Sequence, residues 1–114
     1  MNSYKQGRVN EEVKRTLSSV IREVKDPRVP PLISVSATDV SADLKYAKVY
    51  ISVLGEYDEK ETMRGLNAAK GFLRKRLGET MSLRAVPELT FEIDHSAEVG
   101  ARINEILKGL DQDD

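Results

Sequence analysis

The residues whose type and spacing most directly imply chemistry are Lys70, Arg74, Lys75 and Arg76. Lys70 and Arg74 are four apart and share one face of a helix. Arg74, Lys75 and Arg76 are consecutive, so they fan out around the helix axis. With Arg64 and Arg84 they give residues 62–86 six bases against one acid, Glu79, a local charge of +5. The whole chain carries only −1. Ammonium and guanidinium groups donate to phosphate oxygens, and nucleic acid is the commonest anionic partner of such a cluster. The bland alternative is a solvated helix face. Such a face normally mixes signs, and acid–base pairs one turn apart are not expected here. Arg8 and Arg28 bracket the first helix and extend the same patch.

Other chemistries find less support. His95 is the only histidine and there is no cysteine, so no metal centre of the usual nitrogen or sulfur donors is expected. Asp94-His95-Ser96 contains the residue types of a hydrolytic triad, but a triad is a spatial arrangement, and sequence neighbours seldom face one another. This tripeptide reads as a strand-to-helix junction. No phosphate-binding loop or dinucleotide fingerprint occurs. No cofactor and no small-molecule substrate are therefore expected, and the chain does not read as an enzyme. Tyr46, Lys48 and Tyr50 would share a strand face able to stack bases. Glu88, Glu92 and Asp94 share that face and repel phosphate.

Charge is segregated along the chain. Residues 1–28 hold seven bases and four acids (+3), residues 39–61 three and six (−3), and residues 88–114 two and eight (−6). The absence of cysteine fits a reducing compartment. No apolar run approaches a membrane span of about 20 residues. A cytoplasmic, monomeric protein is expected, with no signal segment at its start.

The elements that must position these residues follow from periodicity. Val9, Val13, Leu17, Val20, Ile21 and Val24 recur at helical spacing, with Asn10 or a neighbour as cap and Asp26-Pro27 as stop. Ile33, Val35 and Ala37 alternate with polar residues, as do Ala47, Val49, Ile51 and Val53; the two strands form an antiparallel hairpin. Met63, Leu66 and Ala69, then Phe72, Leu73, Leu77 and Met81, resume helical spacing. Gly65 and Gly71 point to a break at Ala69-Lys70-Gly71, and Gly78 to another end. Leu89, Phe91 and Ile93 make a third strand. Ser96 then caps a last helix bearing Val99, Ile103, Ile106 and Leu107, with Gly109 as stop. The fold class is α+β: two layers, order α-β-β-α-(kink)-α-β-α, with helices on one face of a mixed three-stranded sheet. Residues 1–108 form one domain, and 109–114 an acidic tail without fixed structure.

These segments resemble the ribosome-binding factor A family. The resemblance rests on GRVNEEVKRTL, DPRV, TDVSADLKYAKVYISVLG, GLNAAKGFLRKRLG, LRAVPELTFEID and GARINEIL, which together span residues 7–107. It implies a type II KH fold whose usual GxxG clamp is replaced by an Ala-x-Gly kink, matched by Ala69-Lys70-Gly71. It also implies binding to the free small (30S) ribosomal subunit and its 16S rRNA late in maturation, with links to 5′-end processing of the rRNA precursor and to growth in the cold. The alternative is a protein-interaction adaptor using the sheet face or the acidic C-terminal helix. A small hydrolase relying on carboxylates is the remaining reading.

Overall fold

The computed structural model describes residues 3–81, 85–96 and 103–109. Helix α1 spans Ser3–Val20 and tightens into a 3-10 turn at Ile21–Glu23. Its apolar spacing buries Val13, Leu17, Val20 and Ile21. Val24 is already extended (ψ 121°), two residues before the Asp26-Pro27 stop. Asn10 does not cap the helix but lies in its middle.

Asn10 joins α1 to strand β1 (Ile33–Val40) instead. Its Oδ1 accepts the Val40 amide at 2.8 Å, and its carbonyl accepts the Thr38 hydroxyl at 2.6 Å. Gln6 Nε2 donates to the Val40 carbonyl. Val40 thus has both backbone groups on the outer edge of β1 satisfied by α1, which closes that stretch of edge to other strands.

β1 pairs antiparallel with β2 (Tyr46–Val53), and β2 pairs parallel with β3 (Glu88–Ile93), so the strand order follows the chain order. β2 and β3 alternate as expected, burying Ala47, Val49, Ile51 and Val53, and Leu89, Phe91 and Ile93. β1 does not. Its register shifts between Val35 and Ala37, leaving Ser36 as a bulge. One extra residue moves every later side chain to the opposite face. Ala37, expected in the core, is therefore exposed, and Val40 is buried. The Ser36 hydroxyl donates to Asp94 Oδ2 at 2.9 Å, which links β1 to the chain just beyond β3.

Helix α2 (Glu59–Ala68) begins at Asp58, whose Oδ1 accepts the Glu61 amide at 3.1 Å. Helix α3 (Lys70–Met81) follows after the single residue Ala69. Gly78 lies inside α3 and ends nothing. A Cβ there would stand 2.7 Å from Val86 Cγ2, so the glycine permits close packing. α1, α2 and α3 cover one face of the sheet, with Leu66, Leu73 and Leu77 in the shared core. Residues 103–109 form helix α4, with Ile103, Ile106 and Leu107 all more than half exposed. Gly109 is still helical; Val99 and residues 110–114 lie outside the described residues.

Thr62 in α2 is fully buried, and its Oγ1 has no hydrogen-bond partner among the described residues. A buried hydroxyl without a partner opposes folding, and an apolar group of the same shape removes that penalty. Thr62→Val is expected to raise stability by about 1 kcal/mol. Thermal melts check this, and a lower Tm than wild type would contradict it.

Candidate nucleic-acid interface

Consecutive helical residues are about 100° apart, so the basic run of α3 cannot lie on one face. Arg74 turns toward the chain that leads into β3. Its Nε donates to the Pro87 carbonyl at 3.1 Å and its Nη2 to the Val86 carbonyl at 2.9 Å. Arg76 turns to the other flank, where it pairs with Glu23 at 3.3 Å and with Glu79 at 3.5 Å. Lys75 points outward between them and is exposed. Lys70 opens α3, half-buried, one turn from Arg74.

Acid–base pairs one turn apart, not expected from the charge pattern, are present. Arg76 meets Glu79 and Arg64 meets Glu61, each three residues apart. Arg28 is also engaged. Its amide, Nε and Nη2 all donate to Asp26, at 2.9, 3.0 and 2.7 Å. Arg8 is exposed on α1 and has no ion pair among the described residues. Arg84 lies outside the described residues. The expected cluster therefore divides. Arg28, Arg74 and Arg76 are engaged within the protein, while Arg8, Lys70 and Lys75 have no ion pair among the described residues.

Two further residues belong to this surface. Phe72, expected in the apolar face, is 40% exposed. It lines a groove of about 300 Å³ with Val24, Lys25, Ala68 and Ala69, where the chain leaving α1 meets the α2–α3 junction. Lys25 is exposed and has no ion pair among the described residues. Its position before Asp26-Pro27 gives no sign that it would face α3. The junction falls at Ala69, as expected, with φ −85° and ψ −2°. Leu73 N still donates to the Ala69 carbonyl at 2.9 Å, so hydrogen bonding continues across the bend.

The remaining sequence candidates have neighbours within the protein. Asp94 Oδ1 accepts the Ser96 amide at 2.9 Å; residues 97–102, which a Ser96 cap would serve, lie outside the described residues. Ser96, its amide and Ser36 all hydrogen-bond to the Asp94 carboxyl and lower its pKa. His95 Nε2 stands 3.1 Å from Glu59 Oε1, away from any triad with its neighbours. On the open sheet face Lys48 Nζ lies 5.9 Å from the Tyr50 ring centroid and 3.4 Å from Glu92. Among the described residues no group of three or more His, Cys, Asp or Glu side chains could hold a metal, and no helix is long and apolar enough to cross a membrane.

The Asp26–Arg28 contact carries a pH prediction. The Arg28 side chain, then its amide, lower the Asp26 carboxyl from 3.8 to about 2. A depressed carboxylate contributes stability above its unfolded pKa and loses it as pH falls through the folded value. Stability is expected to decline from pH 3.8 toward about 2, and Asp26→Asn to flatten part of that decline. Urea melts of both proteins across this window measure the difference; parallel curves would contradict the assignment.

Fold and surface together define a small two-layer α+β domain with a mixed three-stranded sheet and helices packed on one face. The sequence profile of the ribosome-binding factor A family matches residues 5–107, and the chain belongs to that family. Ribosome-binding factor A of Caldanaerobacter subterraneus subsp. tengcongensis is 45% identical over 96% of this chain and 91% of its own length. That of Agathobacter rectalis is 48% identical over 98% of each. The crystal structure of ribosome-binding factor A from Thermus thermophilus superposes with a TM-score of 0.70 at 29% identity, covering 79% of this chain and 97% of that one. A homology model of the T. thermophilus factor, fitted into the cryo-EM map of its complex with 30S, matches at 0.65 and 28% identity, over 75% of this chain and 91% of that one.

Proposed function

We propose that this protein binds the free small (30S) ribosomal subunit through its 16S rRNA, as a monomer and without catalysis. It assists late maturation, including 5′-end processing of the rRNA precursor and growth in the cold. The supporting observation is family membership over nearly the whole chain, joined to a T. thermophilus relative fitted into a 30S complex. In physical terms, an assembly factor of this kind has higher affinity for an immature subunit conformation than for the mature one. Residues 1–108 act as one KH-like RNA-binding domain. No two glycines stand three apart, so the backbone clamp of ordinary KH domains is absent. The contacts are then side-chain cations on phosphates of folded RNA, with Arg84 at the margin.

Arg8, Lys25, Lys70 and Lys75, which have no ion pair among the described residues, would neutralise about four phosphates. Log affinity for small subunits should then fall with log salt at a slope near −3, by order of magnitude about −0.7 to −0.9 per phosphate. Co-sedimentation with free small subunits and with whole ribosomes, at several salt concentrations, tests this. The exposed apolar residues of α4 favour a second reading, a protein-interaction adaptor. Binding that ignores salt and survives ribonuclease would select it.

A further inference from the structure

We propose that Phe72 is a stacking platform for one unpaired RNA base, received in the groove at the α2–α3 junction. This rests on the RNA-binding reading above and adds to it a specific contact. Phe72 leaves 40% of its surface exposed on a helix whose two leucines, Leu73 and Leu77, are almost fully buried. The groove beside it, about 300 Å³, is at the lower end of ligand-pocket volumes. That is room for a single planar group. Its walls are the apolar side chains of Val24, Ala68 and Ala69.

Charge at the rim selects the occupant. The two rim acids each have an arginine partner, Glu23 with Arg76 and Asp26 with Arg28. Lys25 on one wall and Lys75, one turn beyond Phe72, have no ion pair among the described residues. An apolar slot with an aromatic face, one unengaged lysine on its wall and a second one helical turn beyond Phe72 fits a nucleotide, the base on the ring and the flanking phosphates on the lysines. Stacking of this kind tolerates any base, so the site would read exposure of a nucleotide and not its identity.

The test uses the full-length protein and free small subunits. Phe72→Trp keeps a π-face and should bind as wild type does. Phe72→Leu keeps apolar bulk without a π-face and should bind about tenfold more weakly, with the salt slope unchanged because no charge is removed. Lys75→Ala should instead reduce that slope by about one. A photoreactive benzoylphenylalanine at position 72, irradiated on the subunit, should crosslink to rRNA at one nucleotide. Equal affinity of Phe72→Leu and wild type would overturn the stacking site, as would crosslinks to ribosomal protein alone. Absence of subunit binding by the wild-type protein at low salt would overturn the RNA-binding reading itself, and the stacking site with it.

Discussion

Arg74→Ala should destabilise the domain by about 2 kcal/mol and leave small-subunit affinity nearly unchanged at temperatures where the variant is folded. The guanidinium joins α3 to the start of β3 through two carbonyls, those of Val86 and Pro87. Hydrogen bonds from charged donors contribute about 1.5–3 kcal/mol each. Arg74 is only half-buried, so water competes for both bonds and the pair contributes less than the sum of two such bonds. For a domain of this size the loss corresponds to a fall in Tm of about 10 °C. Arg74→Lys should recover less than half, because one ammonium cannot reproduce two parallel bonds from a planar fork. Melting temperature and subunit affinity, measured on the same preparations, separate the roles. A variant that melts with the wild type but no longer binds would return Arg74 to the interface.

The second large effect is expected at Gly65. A Cβ built there stands 2.7 Å from Val29 Cγ2, 3.2 Å from Arg28 Cβ and 3.4 Å from the Val29 amide nitrogen. Val29 packs against the core, so the segment can yield only by giving up that packing. Gly65→Val should cost about 3 kcal/mol, the upper end of ordinary overpacking. Gly71 is the internal control. A Cβ there would meet nothing within 4 Å, and its φ is not positive. Gly71→Ala should therefore stabilise the helix, by at most about 1 kcal/mol. Urea melts of the two variants give the ranking, and the opposite order would refute the packing argument. Any loss of ribosome binding by Gly71→Ala would then reflect the shape of the junction and not folding.

Much of this architecture is written in local pattern. The alternation in β2 and β3 and the break at Ala69 follow from neighbours a few residues apart, and the parallel crossover from the length of the connection between β2 and β3. The bulge at Ser36 does not, because counting by twos presumes a constant period and nothing in ISVSATDV marks where the period slips. Asn10 misleads for a related reason. Its side chain suits a helix start, but the stronger claim on it comes from Val40, thirty residues away. The site is legible as a sum of charge and not as geometry. Composition shows that Arg74 and Arg76 are basic. It cannot show that Val86, Pro87 and Glu23, twelve to fifty-three residues distant, already engage them. Lys25 and Phe72 escape a sequence reading because their adjacency depends on how α1 ends against α3.

The strand order has a consequence for synthesis. β1 and β2 are adjacent in sequence and can pair as soon as both leave the ribosomal exit tunnel, on the microsecond scale of hairpin formation. β3 is separated from the end of β2 by 34 residues. Translation at about 5–20 residues per second leaves the far edge of β2 unpaired for seconds. Such an edge invites pairing with another nascent chain, and a central lysine discourages it. Lys48, which ends in contact with Glu92 of β3, would serve first as a gatekeeper on a half-built sheet.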